Sequence, residues 1–380
     1  MSGTSGGAVC ALLAWSALLN QDPQRAGQLL DEFWTDNSAN SVLEKLTNSW
    51  VLRAGTLQHF VVTPAVSPYD TFVSVTALND FRAMLQLQVD FGSLAQTNGS
   101  QPMLVIGAVD VLSGEFKAFD SRQDKISADM FLASAAIPTL FRSVHVQGGT
   151  YWDGLFSQNP PVRELLDARP DEIWVIQINP KTRSDEPKNV VDIADRRNEL
   201  SGNQSLHQEL HFIEKIDQLL DEGLLVPNGR YKAIVVRLIE LSWSLGTVSK
   251  LNRDPSFIRA LMAHGAERAE RFLSALAFEE AWRTQDVEAV MRFFADDATL
   301  VSSTPFPSTR GLARGPGSIR AFVEKHLTRD VVIDLTRKQV DKHHVSWTIR
   351  GQGGTRGKAV RGVARVEFRG GEIVSLQLTG

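Results

Sequence analysis

Ser5 stands in Gly3-Thr4-Ser5-Gly6-Gly7, a G-x-S-x-G run that passes directly into the apolar stretch 8–19. A serine between glycines at the start of a helix is the context of a nucleophile elbow, where a sharp strand-to-helix turn exposes the hydroxyl. Side chains beside such a turn would collide with the neighbouring strand and helix, which accounts for the glycines. The Gly6 amide and the positive helix end can then hold an oxyanion. Alone, the run is equally a glycine-rich structural turn. A second segment, Tyr151-Trp152-Asp153-Gly154 followed by Asn159-Pro160-Pro161-Val162, carries the carboxylate of Asp153. An aspartate has an ordinary pKa of about 3.9 and binds a proton near neutrality only where burial raises that value.

Positioning these groups requires strands and helices around them. Residues 8–19, AVCALLAWSALL, predict a buried helix: no Lys or Arg precedes the run, no small-residue cleavage pattern follows it, and about twelve apolar residues fall short of the roughly twenty that cross a bilayer. Residues 23–34 and 81–89 predict helices. Residues 103–111, MLVIGAVDV, predict a strand buried on both faces, returning through a Ser-Gly turn as a hairpin. A helix capped by Ser127 ends before Pro138, and strand segments surround Gly148-Gly149. Residues 172–178, EIWVIQI, predict another doubly buried strand, followed by a long amphipathic helix over 190–224 and a strand over 231–239. Strands alternating with helices imply a parallel or mixed sheet between helical layers. After residue 275 the pattern changes to a helix over 278–294, a second at 318–326 and four strand-like runs, an α+β arrangement.

Between the two candidate groups lies Ala133-Ser134-Ala135-Ala136-Ile137-Pro138-Thr139-Leu140-Phe141. The elbow, this A-S-x-A-x-P-x-x-F segment, the D-G pair and the N-P-P run, in that order, resemble the patatin-like phospholipase family. Downstream, Asp195-Arg196-Arg197-Asn198-Glu199-Leu200, Gly202-Asn203, Ser205-Leu206 and Gln208-Glu209-Leu210 resemble a bacterial branch of it. The resemblance implies an α/β three-layer sandwich over residues 1–274, with Ser5 as nucleophile and Asp153 as general base of a dyad that needs no histidine. It also implies Gly3, Gly6 and Gly7 in the elbow and oxyanion region, with Gly154, Asn159 and Pro160 as motif support. Only Met1 and Ser2 precede the elbow, whereas the family carries a leading strand and an upstream glycine-rich oxyanion loop. Both are therefore expected to be missing, as in a fragment or a chain begun at an internal methionine. Leu155 departs from the small residue many relatives have there.

Residues 275–380, with Ala281-Trp282, Asp286, Phe293-Phe294-Ala295-Asp296-Asp297-Ala298 and Gly370-Gly371-Glu372-Ile373, resemble the nuclear transport factor 2-like (SnoaL-like) superfamily. That resemblance implies a small α+β cone-like domain for ligand binding or association, with a homodimer as the expected assembly; fold alone gives no reaction.

The chain of 380 residues has a formal net charge of -4 and no long basic run, which gives no electrostatic ground for a nucleic-acid partner. One cysteine, Cys10, excludes an intrachain disulfide framework and a multi-thiolate zinc site, favours a reducing compartment, and reads as a small buried residue. His207-Gln208-Glu209-Leu210-His211 has metal-compatible spacing, but Glu does not follow the first His directly, so a solvated or packing face is expected. The run Gly353-Gly354-Thr355-Arg356-Gly357-Lys358 lacks the phosphate-loop pattern and reads as a turn, and His343 and His344 as structural histidines. Asp110 reads as a hydrogen-bonded structural carboxylate, Arg142 as pairing with a carboxylate or facing a head group, and Trp34, Trp50, Trp152 and Trp174 as core or cleft wall.

The expectation is a cytoplasmic hydrolase of lipid or other carboxylic esters, needing no cofactor and no metal, with transient, peripheral membrane contact. Acyl transfer would use the same acyl-enzyme. The alternative is a catalytically impaired homologue that binds a ligand or assembles through its C-terminal domain.

Overall fold

A computed structural model describes residues 1–40, 44, 48–49, 67–70, 73–94, 96–138, 140–156, 158–226, 231–241, 243, 245, 249, 252–303, 311–326, 331–332, 337–340, 344–351, 360–369 and 371–379. Trp50, Thr139, His343 and the run 353–358 lie outside the described residues, as does the His344 side chain. The chain forms two compact units: Met1–Pro170 with Lys181–Lys215 and Leu245–Ala260, and Asp171–Pro180 with Ile216–Ser244 and Leu261–Gly380.

The first unit is organised around strand β2 (Val105–Asp110), which is buried over its first four residues. On one side β2 pairs antiparallel with β3 (Phe116–Asp120). Its other side is shared end to end: Val105 and Ile106 pair in parallel with β1 (Ser2–Gly3), and Ala108 to Asp110 pair antiparallel with β5 (Gly149–Asp153). The leading strand expected to be missing is therefore present as two residues, extended by Val105 N donating to Met1 O at 2.9 Å. Strand β4 (Val144–Val146) completes the sheet as a hairpin with β5, turning at Gln147 and Gly148, both with positive φ (50° and 79°), as a primed hairpin turn requires.

Helix α1 (Gly6–Leu19) is apolar almost all round and accordingly central. Leu12, Leu13 and Trp15 are fully buried with Phe33 of α2 (Pro23–Asp36), Leu85 of α3 (Val73–Gln88), Phe119 of β3 and Phe131 of α4 (Ala128–Ser134). Each such side chain contributes about 1.5–3 kcal/mol on burial. Asp22 accepts from the Arg25 amide and, with Pro23 behind it, starts α2. Ser127 stands at the α4 N-cap as expected but makes no side-chain cap bond. Helix α5 (Val190–Asp221) follows the strand β6 (Glu172–Gln177). No helix is long and apolar enough to cross a membrane among the described residues.

Among the described residues the second unit is built on a nine-stranded mixed sheet, ordered β6, β7 (Val235–Glu240), β11 (Arg337–Val340), β12 (His344–Gly351), β13 (Val360–Arg369), β14 (Glu372–Thr379), β8 (Phe294–Ser302) and β9 (Gly311–Arg314), with β10 (Val331–Val332) on β12. Strands β12, β13 and β14 form the expected antiparallel meander. Strand β14 then pairs in parallel with β8, and β8 antiparallel with β9. Strand β7 lies parallel to both β6 and β11, joining β6 and β7 to this sheet and not to that of the first unit. β6 differs from the doubly buried strand expected: Ile173 and Val175 are buried, while Trp174 is half exposed and Ile176 is exposed. Trp174 packs edge-on against Phe272, 4.8 Å between ring centroids, which covers it only in part. Helix α6 (Pro255–Arg283) runs unbroken through residue 275, the expected domain boundary, and Gln285, at φ 58°, separates it from α7 (Val287–Met291). The helix expected over 278–294 is thereby split, with Asp286 accepting from the Ala289 amide to start the second piece. Helix α8 (Gly315–His326) follows β9.

Candidate functional site

Gly107, midway along β2, is where β1 ends, α1 begins and β5 delivers Asp153. Ser5 follows β1 after Thr4 and has φ 56° and ψ -127°. A non-glycine residue there is held against its own preference, at a cost of about 1–3 kcal/mol, so the surroundings must over-determine it. They do so from three sides. The Ser5 amide donates to Ser134 Oγ at 2.9 Å, and Ser134 Oγ, fully buried, donates to Gly107 O at 2.6 Å. Ser5 O accepts from the amides of Ala8 and Val9, and Thr4 O from that of Gly7. Gly6 opens the helix, so its amide points out of the first turn.

Close approach, and not turn sharpness alone, explains Gly3: a Cβ there would stand 2.4 Å from the backbone of Gly7. At Gly107 a Cβ would meet Thr4 Oγ1 at 2.6 Å, and at Gly154 the Gly107 backbone at 2.9 Å. The collision expected at Gly6 and Gly7 is not found. A Cβ on Gly6 reaches Trp34 at an ordinary 3.8 Å, and one on Gly7 meets nothing within 4 Å.

Asp153 closes β5 opposite Ala108 and is only 1% exposed. Its amide donates to Ala136 O at 3.0 Å, and its Oδ1 accepts from Leu155 N at 2.8 Å. Ser134 and Ala136 are two residues apart in the A-S-x-A segment, so one short stretch ties down the backbone of both candidate groups. Beyond Asp153 the chain turns back beneath the elbow. Ser2 Oγ donates to Pro161 O at 2.6 Å and Thr4 Oγ1 to Gln158 O at 3.3 Å, with a cis peptide between Asn159 and Pro160.

Glu209 is the residue sequence reasoning missed. Of the solvated or packing face expected there, the packing one is found: its carboxylate turns to that same loop, accepting from the amides of Val162 (2.9 Å) and Arg163 (3.1 Å) and from Gln158 Nε2. Burial pushes its carboxyl above the ordinary value, against the pull of the two amides. Ser205, one turn earlier, accepts from the Asn159 amide at 3.2 Å. The signal was the Ser205–Glu209 spacing of one helical turn, which puts both on one face. Behind them, Arg183 bridges the buried Asp195 and Glu199.

The remaining candidates have structural surroundings. Asp110 Oδ1 accepts from the amides of Leu112 and Ser113, which hold its carboxyl below the usual range and fix the β2–β3 turn. Arg142 donates to the carbonyls of Pro68 and Tyr69 and lies over the Tyr69 ring. Burial pushes the Cys10 thiol up, with Trp34 beside it. His211 is exposed, 3.6 Å from Glu214. No group of three or more His, Cys, Asp or Glu residues that could hold a metal occurs among the described residues. A cavity of about 580 Å³ lies at the far end of α1, against Asn20, Arg25, Gln88 and Gln101, away from Ser5.

Residues 1–166 match the family model described as patatin-like phospholipase, and residues 275–376 match that of the SnoaL-like domain. No curated protein matches the chain. Similar solved structures include an NTF2-like protein from Burkholderia xenovorans LB400, at 15% identity over 29% of this chain and 88% of that one, with a TM-score of 0.26. An NTF2-like protein from Mesorhizobium loti has 18% identity over 30% of this chain and 93% of that one, with a TM-score of 0.26. One from Cytophaga hutchinsonii ATCC 33406 has 19% identity over 28% and 84%, with a TM-score of 0.23.

Proposed function

We propose that this chain, which carries a patatin-like phospholipase domain followed by a SnoaL-like domain, hydrolyses carboxylic esters of lipid type through Ser5 and Asp153. The observation that carries this reading is the A-S-x-A segment, which bonds the Ser5 amide through Ser134 and the Asp153 amide through Ala136. In this mechanism Asp153 takes the Ser5 hydroxyl proton as Oγ attacks the ester carbonyl. The oxyanion forms toward the Gly6 amide and the N-terminus of α1. Collapse of the tetrahedral intermediate breaks the bond to the alcohol, which leaves with the proton from Asp153. Water then attacks the acyl-enzyme, with Asp153 again accepting a proton, and Ser5 is regenerated.

Mass spectrometry after exposure to a fluorophosphonate probe, with turnover of a short p-nitrophenyl ester, tests the dyad. The label should fall on Ser5, and Asp153→Asn should lower kcat by about a hundredfold or more with the fold retained, the scale of removing a positioned general base. Full activity in Asp153→Asn, or a label on another serine, would sink the dyad. Wild-type protein that takes no label would leave ligand binding through residues 275–376 as the better reading.

A further inference from the structure

We infer that Glu209 is a positioning residue of the esterase site, acting through the loop 158–163 on the elbow that carries Ser5. The inference rests on the hydrolase reading for its effect on turnover, and on the geometry alone for its effect on the loop. Ser205 and Glu209 stand one turn apart on α5 and face the loop together. Ser205 Oγ takes the Asn159 amide, and Glu209 takes the amides of Val162 and Arg163 and the side-chain amide of Gln158. The loop in turn accepts both hydroxyls of the segment leading into Ser5: Ser2 Oγ donates to Pro161 O and Thr4 Oγ1 to Gln158 O. Gln158 thus joins the two layers, its side chain on Glu209 and its carbonyl on the residue before the nucleophile.

The chemistry of the contact specifies the residue type. All three groups facing Glu209 are donors, and a carboxylate offers only acceptors. A glutamine of the same shape has one acceptor oxygen and an NH2 that must meet one of those donors. It leaves a part-buried N–H without an acceptor, which costs more than a hydrogen bond merely absent. The loop then has no fixed position, and with it goes the support of Ser2 and Thr4 ahead of the strained turn.

Glu209→Gln in the full chain tests this by two independent readouts. Amide hydrogen exchange at Val162 and Arg163 should quicken by about tenfold or more, because local opening no longer breaks bonds to a carboxylate. The kcat for the p-nitrophenyl ester and the rate of fluorophosphonate labelling should fall about 10–100-fold with KM little changed, the scale of a small misplacement of a reacting group. Unchanged exchange overturns the inference, as does faster exchange with undiminished kcat. If the wild type takes no label, the hydrolase reading fails by itself. The exchange comparison then decides Glu209 alone: faster exchange keeps it as the residue that holds the loop. If Glu209→Gln does not fold, Gln158→Leu, which withdraws one of the three donors, is read in the same way. A several-fold change in both readouts supports the inference and none overturns it.

Discussion

At the scale of single residues, the site depends on a few groups that satisfy two partners at once. Ser134 Oγ is acceptor for Ser5 N and donor to Gly107 O, so Ser134→Ala leaves both backbone groups without their partner. The expected cost is about 1–3 kcal/mol, measured by urea unfolding, with slower fluorophosphonate labelling of Ser5 as its turn relaxes. Equal stability and labelling would mean that Ser134 does not hold the turn. Glu209 has a pH signature of its own. Three donors favour its ionised form, yet burial outweighs them, and Glu164 nearby adds to the upward push. A folded-state pKa above the unfolded one means that the native chain holds the proton more tightly. The stabilisation is complete below the unfolded value, about 4.3, and is lost as pH rises through the folded one. The melting temperature of the wild type relative to Glu209→Gln should therefore decline as pH rises from about 4 toward neutrality. A difference independent of pH would show that burial does not raise this group. Ser5 and Asp153 stand out in the sequence as candidates because their motifs are local. Glu209 could not, because its partners are about fifty positions away and a glutamate on a polar helix looks solvated.

At the scale of elements, close approach of backbones decides which glycines matter. β1 and the first turn of α1 pack so tightly at Gly3 that a Cβ would stand 2.4 Å from backbone atoms that cannot rotate away, whereas the exposed Gly7 has open space around it. Gly3→Ala should therefore destabilise by at least the roughly 1–3 kcal/mol of a core overpacking. Gly7→Ala should be neutral or stabilising, by up to about 1 kcal/mol, since alanine is the better helix former. Thermal unfolding of the two variants decides, and equal losses would refute the steric account. The sequence shows a G-x-S-x-G run with equivalent glycines; which of them are sterically required depends on how closely the turn folds β1 back onto the first turn of α1. The same limit applies to strands. The run 103–111 was legible as buried because apolar residues fill both faces, and β2 is buried from Val105 to Ala108. EIWVIQI has a similar composition, yet in β6 it alternates buried and exposed positions, with Trp174 only half covered where it meets Phe272 of α6.

At the scale of the whole molecule, the change of pattern after residue 275 was legible as a helix pair and a meander, and it coincides with the start of the SnoaL-like match. That β6 and β7 pair with the meander was not legible, since the parallel β7–β11 contact joins segments about a hundred residues apart. A buried ion pair shows how these strands are bound into the second unit. Arg237 of β7, 3% exposed, donates to Glu279 of α6 at 2.7 Å and through two further nitrogens to Glu172 of β6. Glu279 is itself buried, so neither charge has bulk water to replace the other. Taking two charges out of water offsets much of their attraction, and the pair by itself stabilises little. Removing one member is different, because Arg237 then loses its buried counter-charge and keeps only the partly exposed Glu172. Glu279→Leu should cost about 3–5 kcal/mol, whereas Arg237→Met with Glu279→Leu together should recover most of that loss. Chemical unfolding of the full chain, followed by Trp282 fluorescence beside Phe278 in the same core, reads the second unit. A double variant as unstable as the single one would show that Arg237 also holds β6 and β7 through Glu172, so that the pair cannot be replaced as a unit.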